Sequence, residues 1–223
     1  MPRTLLQLLW RICFRKKRIS KSMIAIIDYD AGNIMSVKKA MEFLGEECVI
    51  SRDPEILLSA DKVILPGVGA FGDAMEKLNR YGLVEIIRKI VDKGTPFLGI
   101  CLGLQLIFDS SEESEGVQGL GLLPGKIVKF SQSDELKVPQ IGWNSLKFPK
   151  ESRLFKGIEE DSYVYFVHSY YLDAQNKDDV AATSDYGIVY DAAVEHNNIF
   201  ACQFHPEKSS AVGLAILKNF IEL

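Results

Sequence analysis

The sequence predicts an α/β fold: an open, mostly parallel central sheet flanked by helices, with a β-rich C-terminal half. Three observations lead there. From Met23 onward, short apolar runs alternate with segments of helical period, the pattern that builds parallel sheets from strand–helix–strand units. Two of the runs end in glycine-rich turns, Leu65-Pro66-Gly67-Val68-Gly69 and Gly99-Ile100-Cys101-Leu102-Gly103. Between Gly116 and Gly187 the residues become richer in β-type side chains.

Residues 24–28 form a buried strand, and Asp30-Ala31-Gly32-Asn33 is turn chemistry. Val37, Met41 and Leu44 recur at helical spacing with Lys38-Lys39 on the other face, which makes 34–44 a helix. Strands follow at 47–51 and 62–65, helices at 74–80 and 83–92, then a strand at 96–100 and the start of a helix at 104–108. The β-rich half contributes strands at 125–130, 163–167, 180–183 and 192–195. A strand at 200–204 and a closing helix at 212–221 complete the chain. No internal repeat, linker or low-complexity tract interrupts 23–223, so one domain is expected there.

The 223 residues are 47% hydrophobic and 25% charged, ordinary for a globular protein. The net charge of -4 gives no reason to expect nucleic-acid binding. Seven of the 26 basic residues fall in 1–22, which carry no acid, leaving 19 against 30 acidic residues in an acidic body. In 1–22 the apolar stretch Leu5-Leu6-Gln7-Leu8-Leu9-Trp10 is too short to span a bilayer. The main charge cluster follows that stretch, the reverse of a signal peptide. This basic extension is expected to be disordered or loosely attached, and non-essential. No membrane association is expected.

Cys13, Cys48, Cys101 and Cys202 are widely spaced with no Cys-x-x-Cys pair, so neither zinc nor any other metal is expected. A reducing cytosol is the simplest compartment. Cys48 and Cys202 read as small core residues. Cys101 differs, because it stands between two glycines at a strand-to-helix turn. Such an elbow exposes the side chain at the C-terminal edge of the sheet and sets its sulfur at a helix N-terminus.

Three histidines could serve as its base. His196 lies in the polar stretch Glu195-His196-Asn197-Asn198 and reads as a solvated turn residue; His168 ends an apolar run and reads as a pocket residue. His205 ends the run 200–204 at the same sheet edge, and Glu207 two positions on can hold its tautomer. Cys101, His205 and Glu207 thus make a nucleophilic triad for acyl transfer through a thioester. The Leu102 N–H is one oxyanion donor, and the Val68–Gly69 turn supplies the second.

Together these residues resemble the triad-type (class I) glutamine amidotransferases, across nearly all of 23–223. The resemblance rests on Ile27-Asp28-Tyr29 with Gly32-Asn33, the Pro66–Phe71 and Gly99–Gln105 turns, Gly142-Trp143-Asn144, Phe166-Val167-His168-Ser169-Tyr170, and Gln203-Phe204-His205-Pro206-Glu207-Lys208-Ser209. The Gly-Asn turn, Gly-Trp-Asn and Val-His-Ser-Tyr resemble the branch whose partner is a (β/α)8-barrel cyclase that makes imidazole glycerol phosphate in histidine biosynthesis.

The resemblance implies a flavodoxin-like sheet and hydrolysis of glutamine to glutamate and ammonia, with no cofactor. It also implies a cytoplasmic heterodimer in which ammonia is channelled to the cyclase and ligand in the partner activates the glutaminase. By the same resemblance, Gly69, Gln105, Ser169 and Tyr170 bind glutamine, the Val68 peptide rotates to complete the oxyanion hole, and Trp143, Tyr165 and Lys208 lie at the partner interface. The chain departs from the pattern at Asp30, Leu104 and Gln140, which stand where the family usually has glycine, methionine and histidine. Three other readings remain open: another amidotransferase subunit within the family, a Cys-elbow peptidase or amidase, which does not require Gln105, and an inactive regulatory subunit, which the intact triad argues against.

Overall fold

Along β1 (Ile24–Ile27) the side chains alternate between two cores, Ala25 and Ile27 on one face and Ile24 and Ile26 on the other. All four are fully buried. A strand covered on both faces must be apolar at every position, which is why this segment shows no polar alternation. The computed structural model describes residues 22–131 and 136–223. The expectations for residues 1–21, Cys13 among them, lie outside the described residues.

The first half continues with α1 (Ile34–Phe43), β2 (Cys48–Ser51), α2 (Pro54–Ser59), β3 (Lys62–Gly67), α3 (Phe71–Arg80), α4 (Leu83–Asp92), β4 (Phe97–Cys101) and α5 (Leu102–Ile107). In α4, Leu83, Ile87 and Ile90 are buried at helical spacing, each worth about 1.5–3 kcal/mol by removal from water. The short α2 was not anticipated from the sequence. It exists because Asp53 caps it, accepting from Glu55 N at 2.8 Å and Ile56 N at 3.3 Å, with Pro54 in the first turn.

The second half holds β5 (Ser110–Ser111), β6 (Gly125–Lys129), β7 (Gln140–Ser145), β8 (Tyr163–His168), β9 (Tyr170–Ala174), β10 (Val180–Asp185), β11 (Val189–His196), β12 (Ile199–Cys202) and α6 (Ser210–Ile221). Among the described residues a ten-stranded sheet runs β2-β1-β3-β4-β12-β11-β9-β6-β5, with β10 on β11. Its β2-β1-β3-β4-β12 portion is parallel. The junctions β12–β11, β11–β9 and β9–β6 are antiparallel.

The expected α/β class and β-rich second half are therefore present. The two-residue β5 and strands β7 and β9 went unread. Strand β7 contains Gly142 and Asn144, weak strand formers, and is held by antiparallel pairing with β8 in a separate two-stranded sheet.

Candidate active site

Strands β3, β4 and β12 lie side by side and parallel, so their C-terminal ends emerge at one edge. Gly67 is paired with Cys101 and Ile100 with Cys202. That register puts Val68–Gly69 beside the cysteine and brings the chain to His205 three residues past β12.

Cys101 occupies φ 55°, ψ -109°, immediately before α5. A non-glycine residue there is strained, and such strain is characteristic of functional turns. The flanking glycines permit it: a Cβ on Gly103 would stand 1.8 Å from the Leu65 carbonyl oxygen, and one on Gly99 would stand 2.7 Å from the Gly103 oxygen.

His205 is buried, and its Nδ1 lies 2.8 Å from Glu207 Oε1. Its backbone is clamped on both sides: its N–H donates to the Tyr165 carbonyl at 2.9 Å, and Ser209 Oγ donates to its carbonyl at 2.7 Å. Burial works against a charged imidazole, but hydrogen bonds with Cys101 and Glu207 outweigh it and push His205 up to about 9. The Glu207 side chain is fully buried. Its Oε1 also accepts from Asn33 Nδ2 at 2.6 Å.

Leu102 opens α5, so its N–H has no partner within the helix. Gly69 adopts φ 105°, a conformation that side chains rarely tolerate. The end of β3 is anchored by Tyr29, whose hydroxyl donates to the Pro66 carbonyl at 2.9 Å. Burial raises the Tyr29 phenol well above its usual range, so it stays a donor.

A pocket of about 320 Å³ collects Val68, Gly69, Cys101, Leu102, Gln105, Ser169, Tyr170, His205 and Lys208. Glu207 stands behind His205 instead. Trp143 and Tyr165 face each other across β7 and β8, with rings 5.9 Å apart. Trp143 shares an exposed apolar face with Ile141 and Tyr163. A larger groove of about 880 Å³ around Phe148, Arg153 and Phe155 contains none of these residues, and its Arg153 is bonded to Glu195.

His168 does line the small pocket. It is buried between Tyr170 O, 2.8 Å from Nδ1, and Gln140 Oε1, 3.1 Å from Nε2. Burial pulls it down to about 4, and His205 adds to the shift. Gln140 is buried as well and also accepts from the Tyr190 hydroxyl at 3.0 Å, so this departure sits inside the fold. Asp30 sits at φ 61°, bonded to Arg52 and to the Tyr81 hydroxyl.

The reading of His196 as a turn residue is corrected, although its side chain stays 42% exposed. It ends β11, and its Nδ1 lies 2.8 Å from the mostly buried Asp179. Cys48 and Cys202 are buried and free. Sequence reasoning missed two members of the site, Asn33 and Gln203, although both stand in segments already singled out. Among the described residues no His/Cys/Asp/Glu cluster could hold a metal ion. Likewise, no described helix is long and apolar enough to cross a membrane.

A family model described as glutamine amidotransferase class-I matches residues 25–223. The chain is 52% identical over 201 residues to the imidazole glycerol phosphate synthase subunit HisH of Chlorobaculum tepidum, covering 90% of this chain and all of that protein. It is 50% identical to the HisH subunit of Methanocaldococcus jannaschii, with the same coverage. Its fold matches the solved structure of PurLQS from Thermotoga maritima with a TM-score of 0.72 at 19% identity, covering 91% of this chain and 98% of that one. A solved glutamine amidotransferase matches with a TM-score of 0.71 at 19% identity, covering 89% and 97%.

Proposed function

Because this chain belongs to the class-I glutamine amidotransferase family, we propose that it is the glutaminase subunit of an imidazole glycerol phosphate synthase. The observation that carries the chemistry is the alignment of Cys101, His205 and Glu207 at one edge of the parallel sheet.

The steps follow from the roles assigned to these residues. The Cys101 thiolate attacks the side-chain carboxamide carbon of glutamine. The developing oxyanion is met by the Leu102 N–H and by the Val68–Gly69 peptide once it turns inward. His205, held by Glu207, gives its proton to the departing nitrogen, so the C–N bond breaks and ammonia leaves. Water then attacks the glutamyl thioester, His205 takes the water's proton, and glutamate is released as the C–S bond breaks. Gly69, Gln105, Ser169 and Tyr170 hold the substrate.

Ammonia in water at neutral pH is mostly ammonium and not nucleophilic, so a closed path to the acceptor is useful. We assign the acceptor site to a (β/α)8-barrel cyclase docked on the face carrying Trp143, Tyr165 and Lys208. The exposed apolar surface at Ile141, Trp143 and Tyr163 supports that placement. The enzyme acts in the cytoplasm, and residues 1–22 are a dispensable extension of the 23–223 domain.

The experiment is glutamate release from glutamine by the protein alone and with the cyclase plus its nucleotide ligand, with Cys101→Ala as control. Strong release only in the full mixture, abolished by the substitution, is expected. No release from a folded, confirmed complex would overturn the reading.

A further inference from the structure

A chain of amides not used in the steps above ends on the nucleophile. Gln203 is fully buried between β12 and His205. Its surroundings fix which way its amide points. The Tyr170 carbonyl can only accept, so Gln105 turns its Nε2 toward it at 3.3 Å. The same Nε2 donates to Gln203 Oε1 at 3.0 Å. With its oxygen occupied, Gln203 presents Nε2 to Cys101 Sγ at 3.7 Å.

We propose that Gln203 holds and polarises the Cys101 sulfur and, through Gln105, links the nucleophile to the substrate pocket. An amide N–H facing sulfur favours the thiolate over the thiol. In a fully buried site that donor has no water to turn to, so the contact also fixes the aim of the sulfur. Gln105 is shared between the pocket wall and this chain, so a ligand that engages Gln105 alters what the sulfur feels. The consequence for turnover rests on the glutaminase reading; the contact with sulfur does not.

The test is the pH profile of Cys101 alkylation by iodoacetamide, read on the Cys101 peptide by mass spectrometry, for the full chain and for Gln203→Met and Gln203→Glu. Methionine keeps similar bulk without a donor, and glutamate keeps the shape but turns an acceptor toward sulfur. At a fixed pH below the parent's midpoint, alkylation is expected to slow by roughly tenfold for Gln203→Met, and further for Gln203→Glu. In the complex with the cyclase, kcat for glutamine falls in both while KM stays near the parent's.

An unchanged midpoint in a variant with native circular dichroism overturns the proposal, because a packing role alone would not hold the thiolate. If neither variant folds, Gln105→Met releases the Gln203 amide from its fixed orientation. The midpoint is then expected to rise, and its constancy would overturn the proposal. A rise in the midpoint beside a parent complex that releases no glutamate supports the Gln203 contact and refutes the glutaminase reading.

Discussion

Asn33 Nδ2 donates to Glu207 Oε1 at 2.6 Å, across 174 positions of sequence. That oxygen is the one facing His205 Nδ1. A turn at the head of α1 therefore holds the carboxylate paired with His205, the proposed base. Asn33→Ala removes one of the two partners of a fully buried carboxylate oxygen. A hydrogen bond to a charged group contributes about 1.5–3 kcal/mol, so kcat in the activated complex is expected to fall by about tenfold or more with little change in KM. Steady-state glutamate release measures both, and an unchanged kcat would mean that Asn33 does not position Glu207.

Cys101→Ala and Cys101→Gly are both expected to abolish glutaminase activity, but they separate in stability. The φ of 55° at this position is strained for any side chain, at a cost of about 1–3 kcal/mol. Glycine relieves that strain, so Cys101→Gly should melt above Cys101→Ala despite the extra freedom of its unfolded chain. Calorimetry on the two variants decides it.

Gly103→Ala drives a Cβ to 1.8 Å from the Leu65 carbonyl oxygen, a rigid backbone atom. The crossing of β3 and α5 cannot yield without moving Cys101. Loss of several kcal/mol of stability, or of soluble protein, is expected, and urea denaturation measures it. Gly103 lies within α5 and is not among the positive-φ glycines, so this loss comes from the clash and not from backbone strain.

His168 is held down to about 4 by burial. The unfolded chain takes up its proton near pH 6.5, so between that pH and about 4 the folded state binds fewer protons than the unfolded one. The stability is present above pH 6.5 and is lost as pH drops toward 4, at about 3 kcal/mol for this one group. Urea midpoints for the parent and His168→Gln across pH 7 to 4 should converge as the parent loses this contribution.

A chain beginning at Met23 is expected to keep full glutaminase activity with the cyclase. The Met23 N–H already donates to Asp61 Oδ2 at 2.7 Å, and a free amino group there can make the same contact. Equal specific activities of the two forms would support the single-domain reading, and loss on truncation would refute it.

The strands of the parallel half were legible because full burial forces a visible apolar run, and the elbow because Gly99 and Gly103 are demanded by one close crossing. The proposed triad rests on local grammar, since His205 and Glu207 are two residues apart and Cys101 sits between its glycines. Strand β7 was not legible, because Gly142 and Asn144 become a strand only when β8 supplies hydrogen-bond partners. The pairing of His196 with Asp179 was not legible either, because it joins side chains 17 positions apart on different elements.

The sequence by itself determined the alternation of elements and marked the proposed nucleophile, base and carboxylate, since each is written in periodicity or in spacings of a few residues. Only the tertiary structure decided which amides complete the site. Asn33 reaches Glu207, and Gln203 reaches both Gln105 and Cys101, because parallel strands bring their C-terminal ends to one edge however far apart they lie in sequence. No local periodicity records such a meeting. It is set by the order and register of strands, which depend on the whole core closing at once.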